Sequence, residues 1–185
     1  MIKLSIDNLT LDNNELAARM MCTDLATVFS LSSVAENEIR AVADCSYTYA
    51  RTSVTVNSDT VTLGFGEIKS LQLARVLSEC SSAYVVAVTL GHSVDRLIRQ
   101  TAVRSTAQQF VTDAVASALT EALCDKVQEM LPEKTKRRFS PGYGDLPLTL
   151  QQPILDYLNC DGITLSDTNL MIPSKSVTFI AGVKK

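Results

Sequence analysis

Apolar residues between positions 105 and 130 fall on one helical stripe. Phe110, Val111, Ala114, Val115, Ala118, Leu119, Ala122, Leu123 and Val127 keep an i, i+3, i+4, i+7 spacing for several turns. The pattern predicts a long helix from Ser105 to Met130, ended by Pro132, that serves as the spine of the domain. Nearer the start, Leu16, Met20 and Met21 predict a first helix capped by Asn13 or Asn14, and Val34, Ile39, Val42 and Ala43 predict a second over residues 33–49. The period changes at residues 52–65. There, TSVTVNSDTVTLGF alternates β-branched residues on either side of Asn57-Ser58-Asp59, a hairpin signal expected to form the edge of a sheet. Ile68, Leu71, Ala74 and Leu77 return to helical spacing over 68–80, and the run AYVVAVTLG that follows, closed by Gly91, is apolar on both faces, as a central strand is. Ser93 is placed to cap a helix carrying Val94, Leu97 and Ile98. After the long helix come a Pro/Gly loop, a short helix over 148–159 and two closing strands.

These elements imply an α+β fold with helices packed on a mostly antiparallel sheet. The expected organisation is an N-terminal helical annex, residues 1–50, joined to a core of residues 51–185 in one compact unit. A length of 185 residues suits a single domain. The formal charge is −3, and no basic run exceeds KTKRR at 134–138, so the electrostatic footprint of a nucleic-acid binder is missing. KTKRR reads as a solvated helix end complementing the helix dipole. The first residues have no apolar run of signal-peptide length, and no stretch approaches the roughly 20 apolar residues of a membrane span. A soluble, cytoplasmic protein without a membrane partner is the expectation. Cys22, Cys45, Cys80, Cys124 and Cys160 are scattered without a C-x-x-C spacing and read as reduced, mostly buried thiols. With His92 the only histidine, the chain lacks the residues for a zinc site or a Cys/His pair.

The chemistry-bearing stretch is RFSPGYGDLPLTLQ, residues 138–151. Pro141 and Pro147 restrict φ, while Gly142 and Gly144 permit backbone conformations closed to other residues. Such a loop can present amides, carbonyls and an aromatic ring to a ligand beside the Arg138 cation; by composition alone it is an ordinary connection between helices. Its order of residues says more. Arg138, Pro141, Gly142 and Tyr143, then Gly162 to Ser166, Met171, Pro173 and Ser176 to Thr178, follow a spaced pattern that resembles the activation domain of vitamin B12-dependent methionine synthase. VTLGHSVDRLIRQ from Val88 and DAVASALTEALCDKV from Asp113 extend the likeness over residues 83–182.

The resemblance implies a ligand, S-adenosylmethionine, and a role in reductive methylation of an inactive cobalt(II) corrinoid. Cobalamin or another corrinoid would be carried by a partner, either methionine synthase or a related corrinoid methyltransferase protein, with electrons from a donor such as flavodoxin or ferredoxin. Carried over residue by residue, it assigns Arg138 to the ligand carboxylate. Phe139, Ser140, Pro141, Gly142 and Tyr143 become loop contacts, with Gly142 keeping side chains out of the ligand's way. Glu121 becomes an acid for the ammonium or a ribose hydroxyl. Asp113 and Asp125 compete with Glu121 for that role, and Tyr143 can equally be a core aromatic. Asp145 has no assigned role. The family's last strand carries a tyrosine where this chain has Phe179 to Gly182, and its N-terminal acidic contact has no located counterpart. No cobalamin-binding D-x-H-x-x-G signature is present, His92 lying in LGHSV, so the corrinoid would sit on a separate protein. The alternative is a non-enzymatic docking or scaffold subunit for a corrinoid protein that has lost S-adenosylmethionine binding.

Overall fold

The computed structural model describes residues 1–184. A short strand β1, Ile2–Lys3, leads to helices α1, Asn13–Arg19, and α2, Leu25–Val42. Aspartates cap both. The Asp12 carboxylate accepts from the backbone N–H groups of Asn14 and Glu15 at 2.8 and 3.3 Å, and Asp24 accepts from Ala26 N–H at 3.2 Å. The expected Asn13 or Asn14 cap is therefore corrected to Asp12, one position earlier, and the second helix begins eight residues before position 33. It also ends sooner. Residues expected in its last turns belong to strand β2, Ser46–Ser53, where Tyr47 and Tyr49 stack and Tyr49 meets Tyr84 edge to face at 5.7 Å. A tyrosine-rich, β-branched segment gains more from cross-strand pairing than from a helix.

The predicted hairpin forms as β3, Thr55–Asn57, and β4, Thr60–Leu63, with Ser58 at φ 59° in the turn. It does not edge the main sheet. It pairs with β5, Gly66–Lys69, as a separate three-stranded sheet, so Ile68 lies in a strand and α3 is confined to Leu71–Leu77 behind its Ser70 cap. Strand β6, Ser82–Thr89, is buried at every position. Helix α4, His92–Arg104, begins at Gly91, whose φ of 89° replaces the expected Ser93 side-chain cap. Helix α5, Thr106–Met130, runs as predicted from its Ser105 cap. At its end Leu131, held extended by the following Pro132, donates its N–H to the Gln128 carbonyl at 3.4 Å. After a single 3-10 turn comes α6, Gln151–Tyr157. The closing segment holds three strands where two were expected: β7, Thr164–Leu165, and β8, Met171–Ile172, form their own hairpin, and β9, Ser176–Gly182, joins the main sheet.

The main sheet has the order β1-β2-β6-β9, every pairing antiparallel. It confirms the α+β reading. Both faces are covered. Tyr84, Val86 and Val88 of β6 point into a core shared with α1, α2, α4 and α5, while Ala83, Val85 and Ala87 point into a second core with α3, α6 and the small sheet. Position 50, the expected limit of the annex, lies inside β2, and α1 and α2 pack in the same core as α5. All five cysteines are free thiols, three of them buried. Among the described residues no helix is long and apolar enough to cross a membrane.

Candidate functional site

Residues 134–138, expected at a helix end, instead extend the main sheet. Lys136 N–H donates to the Gly182 carbonyl at 2.7 Å, Phe139 and Ile180 exchange backbone hydrogen bonds at 2.9 and 2.8 Å, and Lys184 N–H donates to Lys134 at 2.9 Å. The segment is an irregular edge strand on β9. Thr135 bridges Val183 and Phe139 bridges Ile180, so four steps on the segment oppose three on β9, as at a bulge. Between the two bridges the Arg138 side chain turns toward α5, its guanidinium 5.9 Å from the centre of the buried Phe179 ring.

The acids that meet Arg138 come from one face of α5. Glu121, Asp125 and Gln128 stand at i, i+4 and i+7, the spacing that stacks side chains on one side of a helix. Arg138 Nη2 donates to Glu121 Oε2 at 2.6 Å, and Nη1 donates to Asp125 Oδ1 and, at 3.4 Å, to Gln128 Oε1. Burial opposes the Arg138 charge, but hydrogen bonds to Asp125 and Glu121 outweigh it and raise the guanidinium pKa further. The network continues to α1: Arg19 lies 3.8 Å from Glu121 and is held by Glu15 at 2.7 Å. Beneath it, burial pushes up the pKa of the Cys124 thiol, consistent with a packing role.

Across from this cluster is the Pro/Gly loop. Tyr143 N–H donates to Ser140 carbonyl at 3.2 Å, Gly142 N–H to Leu146 carbonyl at 2.8 Å and Leu146 N–H to Tyr143 carbonyl at 3.0 Å, closing two tight turns. Gly142 at φ 89° and Gly144 at φ 56° make those turns possible. A Cβ on Gly144 would come within 2.0 Å of the Gln72 amide on α3, so the loop lies flush against that helix. Asp145 secures it. Its carboxylate accepts from Ser70 Oγ at 2.5 Å and from Leu71 N–H at 2.7 Å, capping α3 from a distant part of the chain. The Ser70 hydroxyl hydrogen bond leads in holding the Asp145 carboxyl below its ordinary pKa, with the backbone N–H groups adding to it.

Between the two walls is a cavity of about 630 Å³, within the usual size range of small-molecule sites. Glu121 and Gln128 line it from α5, Gln72 and Val76 from α3, and Val177 from β9. Arg137, Arg138, Phe139, Ser140, Tyr143 and Gly144 supply the rest. A second depression, of about 600 Å³, lies beyond Gln128 around Glu129, Glu133 and Lys134 and includes none of the loop. Among the described residues no histidine, cysteine and carboxylate group could hold a metal ion.

Of the residues singled out from sequence, Glu121, Arg138, Phe139, Ser140 and Tyr143 face this one cavity. Tyr143 is 65% exposed at its mouth and is no core aromatic. Pro141 is buried, and neither it nor Gly142 lines the cavity. A Cβ on Gly142 would meet Leu148 Cδ1 at 3.2 Å, and the glycine's φ of 89° serves the turn. The competing acids separate. Asp125 joins Glu121 on Arg138, whereas Asp113 pairs with Lys175 at 2.8 Å, away from the cavity. Phe179 to Ala181 are fully buried, and Gly182 packs its Cα face against Leu77 and Cys80, so the end of β9 offers no side chain to the cavity. Sequence reasoning missed Arg137, left within the solvated KTKRR run, and Gln128, whose i+7 relation to Glu121 was a readable signal; for Gln72, Val76 and Val177 there was none.

No family model matches this chain, and no curated protein matches it by sequence. A solved structure does match its fold. The crystal structure of the MetH reactivation domain bound to AdoHcy aligns with a TM-score of 0.77 over 98% of this chain and 77% of that one, at 15% sequence identity. The fold is therefore shared with that domain, as the sequence resemblance implied.

Proposed function

We propose that this protein binds S-adenosylmethionine in the cavity between α3, α5 and the 138–146 loop and supports reductive methylation of a corrinoid carried by a separate methionine synthase or related methyltransferase protein. One coincidence supports this reading above all: the segment from Arg138 to Tyr143 that carries the sequence resemblance is the segment that walls a ligand-sized cavity, in a fold shared with a domain crystallised with AdoHcy.

The donor set suits the ligand. An amino-acid end needs a cation and an acid, which Arg137, Arg138 and Glu121 provide; the purine end needs a flat or backbone-lined slot, which Phe139, Ser140 and Tyr143 provide. When bound, S-adenosylmethionine supplies an electrophilic methyl group on a sulfonium. This chain's residues bind and orient it, and Tyr143, exposed at the mouth, marks the side from which a partner would approach. Catalysis of this kind is proximity and orientation, with the corrinoid and an electron donor such as flavodoxin or ferredoxin supplied in trans.

A docking subunit without ligand binding is the second reading, favoured by the closure of Arg138 on two carboxylates. Titration calorimetry with S-adenosylmethionine separates the two, saturable heat supporting the first and its absence at millimolar ligand the second. With a corrinoid protein in the cobalt(II) state and a one-electron reductant, labelled methyl from S-adenosylmethionine is expected on the corrinoid. Transfer at an unchanged rate without this protein would remove the reactivation role.

A further inference from the structure

Two adjacent arginines reach the cavity in different electrostatic states. Arg138 is half-buried and bonded to Glu121 at 2.6 Å, to Asp125 and, at 3.4 Å, to Gln128. With Glu15 and Arg19 the cluster holds three acids and two bases, a net charge of −1. A carboxylate arriving there must displace one carboxylate while remaining close to the other, and like charges at that range oppose it.

Arg137 is exposed, lines the same cavity and, among the described residues, has neither an ion pair nor a side-chain hydrogen bond. Arg138 turns toward Phe179 and α5, whereas Phe139 packs into the α3-side core. Arg137 is thus the one cation at the cavity, among the described residues, with an uncommitted guanidinium, and that group matches a carboxylate bidentately.

Resting on the S-adenosylmethionine reading above, we infer that Arg137 takes the carboxylate of the ligand, and that Arg138 is a positioning residue that fixes Glu121 for the ammonium. The division of labour assigns each charge of the amino-acid end to a separate group. The arginine at the position highlighted by the sequence resemblance then acts through its neighbour on α5.

The test is calorimetry on the wild type, Arg137→Gln and Arg137→Lys, with two probes: S-adenosylmethionine and decarboxylated S-adenosylmethionine. Arg137→Gln is expected to weaken the first by about tenfold and to leave the second within about twofold, with Arg137→Lys in between. Unchanged affinity of Arg137→Gln for S-adenosylmethionine, or equal loss for both probes, would overturn the assignment while the donor-binding reading stood. A wild type that binds neither probe would overturn both. Thermal melting of the variants accompanies each titration, and a shared midpoint is expected because Arg137 makes no internal contact that its loss would break.

Discussion

The α5 wall of the cavity is held by side-chain charge: Glu121 and Asp125, on one face of a continuous helix, close on Arg138 from the edge segment. The α3 wall is held by backbone: two positive-φ glycines fold the loop, and Asp145 ties it to the amides at the start of a helix of only seven residues. The contrast bears on where each wall is strong. The first stands on a helix whose inner face is buried, which anchors the backbone from which its acids project. The second depends on a surface loop and one exposed carboxylate, and it is the wall that yields first when the protein opens locally.

Removing the footing of the α5 wall should have the largest effect. Leu123 is fully buried between the positions of Glu121 and Asp125, and Leu123→Ala is expected to cost about 2–5 kcal/mol through lost burial and the cavity left behind. Urea unfolding checks this. A loss under about 1 kcal/mol would mean that α5 is not the rigid side.

The charge cluster itself comes next. Arg138→Met leaves Glu121 and Asp125 without their shared counter-charge, for an expected loss of about 1–3 kcal/mol, kept toward the lower end because Asp125 is 64% exposed and water screens it. Adding Glu121→Gln should restore part of that loss. Strict additivity in the double-mutant cycle would show that the pair is uncoupled and that the wall is held by packing alone.

The smallest effect belongs to the α3 wall and depends on pH. The Asp145 carboxyl is held below its ordinary value of 3.8, so its contribution is present above that pH and is lost as pH falls through the depressed folded value. Asp145→Asn should therefore be less stable than wild type near neutrality, the gap between their melting midpoints closing below about pH 4. A gap that stays constant into acid would assign the effect to shape and not to charge.

How much could be read in advance follows the range of the interactions. The long helix and the wholly buried β6 follow from periodicities carried by consecutive residues, and the structure reproduces them. The Pro/Gly loop was legible for the same reason: its turns are made by φ values that Gly142 and Gly144 reach locally. Residues 134–138 were not, because a short basic run is compatible with a helix end or an edge strand, and only the free edge of β9 decides between them. The hairpin was recognised but not its neighbours, since a turn signal says nothing about which sheet the strands join.

The two arginines mark the limit. Side by side in sequence and identical in chemistry, they differ only in what faces them. By itself the chain determined that a guanidinium pair would precede a shaped loop, because that order is written in contiguous residues. Which guanidinium is spent on Glu121 and Asp125 and which remains open was decided by tertiary structure, because the acids reside on another element and meet Arg138 only once β9 and α5 have set the path of the segment between them.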